Sequence, residues 1–306
     1  MMKIVETLPN ISEGKNKELI NKIKDLSENY DKIWFISCKS DEYFNRSFIS
    51  VVGELNEIEA FLFEMVKICV ENIDLRNHSG YHPRLGAVDV IPIVPLISTT
   101  FDEANNLVKR LAKKISESFE LPIYLYEKSA KNEYRRNINT LRKGEFEFLA
   151  KKMSFPEWEP DFGPNHPHPT AGATVMGVRD FLISLEFHIS TLDKWLAEQI
   201  KQEIDLNLPA SVFLERKQSG KFSLTLNAKE GDVSLYLLYS KVKAIIEHFG
   251  CEIEKVSLPS PLTGKLFLQS FKNLIGNLDG ELFTIEEKLL TESEISKTKY
   301  IPNEEK

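Results

Sequence analysis

The chain has 306 residues, 42% hydrophobic and 28% charged, which is enough apolar material to bury sizeable cores and argues against disorder along its whole length. A formal net charge of −7 argues against general affinity for a nucleic-acid backbone. No apolar run is long enough to span a bilayer, and Glu6 interrupts the N-terminal apolar stretch before it could act as a signal segment, so no membrane partner and a cytoplasmic location are expected. Cys38, Cys69 and Cys251 are odd in number, far apart and in no Cys-x-x-Cys spacing; neither a disulfide framework nor a thiolate zinc site is expected.

Residues 3–8 read as a short strand, and Leu19, Ile23 and Leu26 recur behind it at helical spacing. The β-branched and aromatic runs 33–38 and 47–52 read as two strands. Asn56 with Glu59 resembles a capping box ahead of a helix whose face carries Leu62, Met65, Val66, Cys69 and Ile73. A strand at 87–94 completes the order β-α-β-β-α-β, that of the ferredoxin-like motif. Thr100 and Glu103 then form the capping box of a further helix containing Ala104, Leu107, Val108, Leu111 and Ile115. Its basic residues Lys109, Arg110, Lys113 and Lys114 read as a solvated face. A strand at 122–126 follows.

The second half repeats the order: a strand at 181–189, a helix carrying Leu196, Ile200 and Ile204, strands at 211–214 and 222–226, a helix with Leu238, Val242, Ile245 and Phe249, and a strand at 252–258. The expected class is α+β, two ferredoxin-like (βαββαβ) subdomains in tandem. Residues 1–178 form the first, 179–290 the second, and 291–306 a polar tail. Comparing the two halves places an insertion, DLRNHSGYHPRLG at 74–86, before the fourth strand of the first; extra polar loop on a regular scaffold is a usual location for chemistry.

Four of the six histidines fall in two loop-like stretches, His78 and His82 in the insertion, His166 and His168 in DFGPNHPHPTAGA. Imidazole titrates near neutrality, at about 6.5 when unperturbed, so a loop histidine held just ahead of a strand is a candidate general base, with Arg84 able to lower its pKa. The His78/His82 spacing would suit zinc on a helix, but Gly80 and Pro83 make a helix improbable there, and no metal is expected. Residues 159–177 are rich in proline and glycine. Gly163, Gly172 and Gly177 allow close backbone approach to a ligand; a stiff connector is the alternative. Glycine-rich nucleotide motifs are absent.

Seven collinear stretches, LPNISEGKNKELI, FNRSFISVVG, GYHPRLGAVDVIPIVPL, PIYLYE, LRKGEFEFL, PDFGP and HPTAGATVMGVR, together resemble the formiminotransferase domain family. The resemblance implies transfer of a formimino group from N-formimino-L-glutamate to tetrahydrofolate as co-substrate, in a homodimer whose subdomains enclose a folate channel. It implies His82 as general base and Gly163, Pro164, His168, Pro169, Thr170, Ala171 and Gly172 as folate contacts. Asn10, Asn45, Arg46 and Arg84 are implied on the substrate side, with Arg179 a further carboxylate anchor and Glu13 either a contact or a turn residue. The chain departs from the family pattern at Ser37, where an Asp is usual, and at Glu186 and His188, where Asn-x-Asn is usual. A formyl donor or a folate-binding protein without catalysis is the alternative reading. Glu186 and His188 are expected on one face of a strand.

Overall fold

The computed structural model of the protein describes residues 2–217, 219–229 and 234–258. It is an α+β structure with two compact units, one running through Arg179 and the other starting at Asp180. The expected polar tail, and the second subdomain beyond residue 258, lie outside the described residues.

In the first unit β1 (Ile4–Thr7) and β2 (Asn10–Ile11) lead to α1 (Lys17–Leu26), β3 (Ile33–Asp41), β4 (Arg46–Glu54), α2 (Leu55–Asn72) and β5 (Val88–Pro95). Then come α3 (Phe101–Phe119), β6 (Ile123–Leu125), α4 (Ile138–Arg142), α5 (Glu145–Met153) and β7 (Thr174–Val178). Both β1 and β2 pair antiparallel with β4 on one side and β5 on the other, so they form one ribbon broken at Leu8-Pro9, where proline has no N–H to donate. β3 flanks β4, while β7 and β6 extend the sheet beyond β5 in parallel.

Those pairings give β4, β5, β6 and β7 a common direction, opposite to β1 and β2. The segments entering β4, β5 and β7 and the segment leaving β2 therefore meet at one end of the sheet. Ile11 is level with Ser47 on one side and Val88 on the other.

Apolar periodicity decides which face each helix covers. Leu19 and Ile23 of α1, Phe61, Leu62 and Met65 of α2, and Leu107, Val108 and Leu111 of α3 pack with Val5, Ile49, Val51, Ile91 and Ile93 in the main core. Each such side chain contributes about 1.5–3 kcal/mol by leaving water. Leu141, Leu149 and Met153 of α4 and α5 pack with Val90, Tyr124, Tyr126 and Val175 in a separate cluster.

The second unit runs β8 (Leu182–Ile189), α6 (Lys194–Asn207), β9 (Ala210–Arg216), β10 (Phe222–Lys229), α7 (Leu235–His248) and β11 (Ile253–Ser257). Its sheet order is β11-β8-β10-β9, antiparallel throughout. Counting β1 and β2 as one ribbon, the first four strands of the first unit have the same order: fourth, first, third, second.

Two expectations need correction. The cap of α2 is Glu54, whose carboxylate accepts from the N–H groups of Asn56 and Glu57; Asn56 is already inside the helix. The stretch 159–177 is not all loop, because Thr174–Val178 is a fully buried strand whose glycine and lack of alternation hide it from a period-two search. The Thr100–Glu103 capping box forms as read.

Gly172 shows how tightly the end of this loop is packed. Its φ is +69°, and a Cβ there would stand 2.1 Å from the Leu85 carbonyl oxygen. Gly250 has a φ of +71° with nothing within 4 Å. Gly250→Ala is expected to cost about 1–2 kcal/mol, the left-handed strain alone. Gly172→Ala should cost clearly more in urea unfolding; equal losses would show that the Leu85 contact yields freely.

Candidate active site

The insertion that carries His78 and His82 has little regular structure, and hydrogen bonds to its neighbours hold it in place. Leu75 N donates to Thr170 O at 2.8 Å, Ala87 N to Ala171 O at 2.9 Å, and Ser12 Oγ to Gly86 O at 2.7 Å. Asn45, at φ +48° in the turn before β4, joins three segments: its Oδ1 accepts from Gly14 N at 2.9 Å, its Nδ2 donates to Ser79 O at 3.0 Å, and its carbonyl meets His78 Nε2 at 3.0 Å. Asx residues tolerate this left-handed backbone better than most, which is a physical reason for asparagine here.

These segments enclose a narrow cleft lined by Ser12, Phe44, Asn45, Arg46, His78, His82, Arg84 and Asp89. Three guanidinium groups stand in or beside it, and their charges are met very differently. Arg84 Nη1 donates to Glu145 at 2.9 Å and Arg84 Nη2 to Glu147 at 2.7 Å, so two carboxylates share one cation. Arg142 places Nε at 2.9 Å and Nη2 at 2.5 Å from Asp89 Oδ2, while Asp89 Oδ1 accepts from Leu85 N at 2.8 Å. Arg46, 5% exposed, has only the Asn10 amide oxygen on Nη2 and the Phe48 ring 4.2 Å from its guanidinium carbon. Its Nε is buried without a partner, and no carboxylate pairs with it among the described residues. Burial and the nearby charge of Arg142 pull the Arg46 guanidinium down to about 9, partly opposed by Asp89, so it stays cationic at neutral pH.

The hydrogen bonds also fix the imidazole tautomers. His82 Nδ1 lies 2.6 Å from Pro83 O, and because a carbonyl can only accept, the proton is on Nδ1 and Nε2 carries the lone pair. Burial first, then Arg46 and Arg142, push this imidazole down to about 3 against the opposing pull of Asp89. The sequence expectation of a value near 6.5, adjusted only by Arg84, is thereby corrected: Arg84 is neutralised by its two glutamates and the field comes from the other two arginines. His78 donates from Nε2 to Asn45, which leaves a second unprotonated nitrogen, Nδ1, buried and without a partner.

The other expected residues divide clearly. Asn10, Asn45 and Arg46 assemble at the cleft, Asn10 through its bond to Arg46. Arg84 lines it but already holds two carboxylates, so it is no open anchor. Glu13 is a turn cap, its Oε1 accepting from Lys15 N and Asn16 N. Arg179 hydrogen-bonds Tyr126 and acts electrostatically on buried Glu6. His168, Thr170, Ala171 and Gly172 form a tight turn laid beside the insertion, with paired His168 and Gly172 backbones. There His168 Nδ1 accepts from Ala171 N at 3.0 Å, so its lone pair is committed to the turn. Pro169 is exposed on the same turn. Gly163, with φ +89°, packs against Leu121 and Ser116 at the start of β6, and Pro164 follows it; neither lines the cleft.

Sequence reading missed Ser12, Asp89, Arg142, Glu145 and Glu147 as site residues. Asp89 stands inside HPRLGAVDV, and the last three inside LRKGEFEFL, yet nothing in a string of charges tells which arginine meets which acid. The carrier of those three is well anchored: Lys152 Nζ donates to Thr140 O and Leu141 O at the end of α4, and Phe146 N donates to Arg84 O.

In the second unit Glu186 and His188 share a face, as period two requires, opposite the buried Leu185, Phe187 and Ile189. Lys217 Nζ lies 2.9 Å from Glu186 and 2.8 Å from Glu215, and His188 lies 3.5 Å from Glu186. Burial raises Glu186, but Lys217 outweighs it and holds the carboxyl below its ordinary value. The acid is thus not a bare negative charge. Among the described residues no group of three or more His, Cys, Asp or Glu side chains is placed to hold a metal ion, and no helix is long and apolar enough to cross a membrane.

The sheet end thus gathers an imidazole with its lone pair on Nε2 and a buried guanidinium that meets no carboxylate among the described residues. Residues 4–179 match the formiminotransferase domain, N-terminal subdomain, and the chain belongs to that family. It is 33% identical over 260 residues to a glutamate formimidoyltransferase of Streptococcus pyogenes, covering 83% of this chain and 87% of that one. A glutamate formimidoyltransferase of Thermoplasma acidophilum is 34% identical over 205 residues, 66% of this chain and 67% of the other. The formimidoyltransferase-cyclodeaminase of Dictyostelium discoideum is 36% identical over 189 residues, 62% of this chain and 35% of that longer protein.

Asp89→Asn should leave Arg142 buried without its counter-charge. A loss of about 3–5 kcal/mol in urea unfolding is expected, the usual cost of breaking one side of a buried ion pair. A loss under about 1 kcal/mol would mean that water or another acid takes the place of Asp89.

Proposed function

We propose that this chain is a transferase moving the formimino group of N-formimino-L-glutamate to tetrahydrofolate, with tetrahydrofolate as co-substrate and no metal. The observation that carries this reading is the pairing of His82, neutral with its lone pair on Nε2, with Arg46, a buried cation without a carboxylate. The family membership and the names of the relatives support it. Part of the same proposal is a pair of tandem ferredoxin-like subdomains with their boundary near residue 178, a homodimer, a cytoplasmic location and a role in histidine breakdown and one-carbon metabolism. The 163–172 segment is proposed to contact folate, its 168–172 turn acting beside the insertion.

The donor brings carboxylates, and Arg46 takes one of them; a charge-assisted bond to a buried guanidinium is the strongest anchor this cleft offers. Tetrahydrofolate N5 attacks the formimino carbon, forming the new C–N bond and a tetrahedral intermediate with a positive N5. His82 Nε2 accepts the N5 proton and returns it to the glutamate nitrogen as the old C–N bond breaks. Glutamate and the formimino folate result. The imidazole is a weak base while it is buried beside Arg46, whose charge no carboxylate meets among the described residues, and the donor's carboxylate beside Arg46 raises its basicity at the moment when a base is needed.

Ultraviolet assay of tetrahydrofolate with formiminoglutamate, and separately with formylglutamate, tests the reading: turnover is expected with the first. Absence of turnover with either donor, despite folate binding, would make this a binding protein. His82→Ala is expected to lower kcat by about 10²–10⁴, the range for a positioned base, with folate affinity within a few-fold. If kcat is retained, the proton travels elsewhere, and His78 is the next residue to replace.

The His82 pKa gives a direct measure of the proposed anchor. Proton NMR titration should find it at about 3 in the free protein, unprotonated above that pH. Saturating glutamate should move it upward, because an anion beside Arg46 cancels part of the field that depresses it. An unmoved resonance with glutamate bound would place the carboxylate away from Arg46.

A further inference from the structure

Tyr43 and Tyr81 are 63% and 72% exposed, an unusual state for large aromatic side chains that touch one another. Their rings stack at 4.4 Å between centroids and 16° between planes. They come from different segments, Tyr43 from the turn between β3 and β4 and Tyr81 from the insertion. Each sits next to a residue lining the cleft: Tyr43 precedes Phe44 and meets its ring edge-on at 5.3 Å, and Tyr81 precedes His82.

A stack of this kind could simply fasten the two segments together. Here that task is already performed by other contacts. Asn45 bonds Ser79 and His78, and Gly80 sits so close to Phe44 that a Cβ would stand 2.3 Å from its carbonyl oxygen. The tyrosine rings add little to a joint so made and remain largely in water.

The size of the cleft indicates what the rings are for. The cleft leaves no room even for a water-sized body, far below the roughly 300–1,000 Å³ of a pocket that encloses a drug-sized ligand. A bicyclic heterocycle therefore cannot lie inside it. Only its reacting nitrogen can reach His82, and the ring must rest on the rim.

We propose that the Tyr43–Tyr81 stack is the rim platform on which the flat heterocycle of the acceptor lies while its nucleophilic nitrogen faces His82. The inference rests on the folate-dependent reading above and names the acceptor, since the glutamate half of the donor has no ring to stack. Stacking on an aromatic wall holds a planar ring by its face and leaves its edge free for chemistry.

Equilibrium binding of tetrahydrofolate to the full chain, with steady-state kinetics alongside, tests the platform in Tyr43→Ala, Tyr81→Ala, Tyr81→Leu and Tyr81→Phe. Loss of a ring should raise the dissociation constant and the KM for tetrahydrofolate about tenfold in the Ala and Leu variants, the usual effect of removing a stacking partner. The Phe variant should stay within about twofold of the parent, and KM for the donor should be unchanged in all four. Unchanged tetrahydrofolate affinity in Ala and Leu variants overturns the platform. So does an equal rise in donor KM with a fall in kcat, the mark of a mere fastening. A parent protein that binds tetrahydrofolate but transfers nothing removes the transferase reading and leaves the platform to be judged by dissociation constants. A parent that does not bind tetrahydrofolate overturns both.

Discussion

The site is organised around one buried guanidinium that has no carboxylate of its own among the described residues. Arg46 sits in the first position of β4, where among the described residues its side chain meets the Asn10 amide and the Phe48 ring, although acids are close at hand. Glu145 and Glu147 are both committed to Arg84, and Asp89 to Arg142 and Leu85 N. A buried cation in this state is costly to the free protein and favours an incoming anion. Burial first, and then the same charge with that of Arg142, keeps His82 unprotonated, so Arg46 contributes to both the anchor and the base.

The ion pairs around Arg46 also serve as mechanical supports. Arg84 belongs to the end of the insertion and Asp89 to β5 just after it, while Arg142, Glu145 and Glu147 belong to α4 and α5, more than fifty residues later. Their crossed pairing holds the insertion against a helical support that Lys152 and the Leu141–Leu149–Met153 cluster keep in place. A loop poor in regular structure thereby gains the fixed geometry that proton transfer needs, since loosening by about 1 Å can cost a hundredfold in rate.

The departures at Glu186 and His188 have a compensated character. Replacing amides by an acid and an imidazole would place charge on a half-buried sheet face, but Lys217 bridges Glu186 and Glu215 there. The face remains polar while the acid is balanced. A substitution at Glu186 alone would remove one acid while Lys217 keeps Glu215, so the local negative charge falls by one and a nearby carboxylate ligand is favoured. Ser37 sits at a register irregularity of β3, opposite Ser50, and nothing in the structure explains its departure.

The sequence by itself determined the βαββαβ order that each half carries, without β2, α4, α5 and β7. Periodicity placed α1, α2, α3, α6, α7 and most strands but not α4 and α5, the Thr100–Glu103 box marked one helix start, and comparison of the halves exposed the insertion at 74–86, because these signals are local and repeat along the chain. It also singled out His82 and Arg46 through motif resemblance. Only the tertiary structure decided which charge meets which. Arg46 and Arg84 look alike as letters, yet one is left open and the other is saturated by residues about sixty positions away, and the lone pair of His168 is spent on its own turn while that of His82 is not. Such differences arise from long-range pairing and burial, which depend on where the folded sheet brings its segments together and leave no periodic trace in the chain.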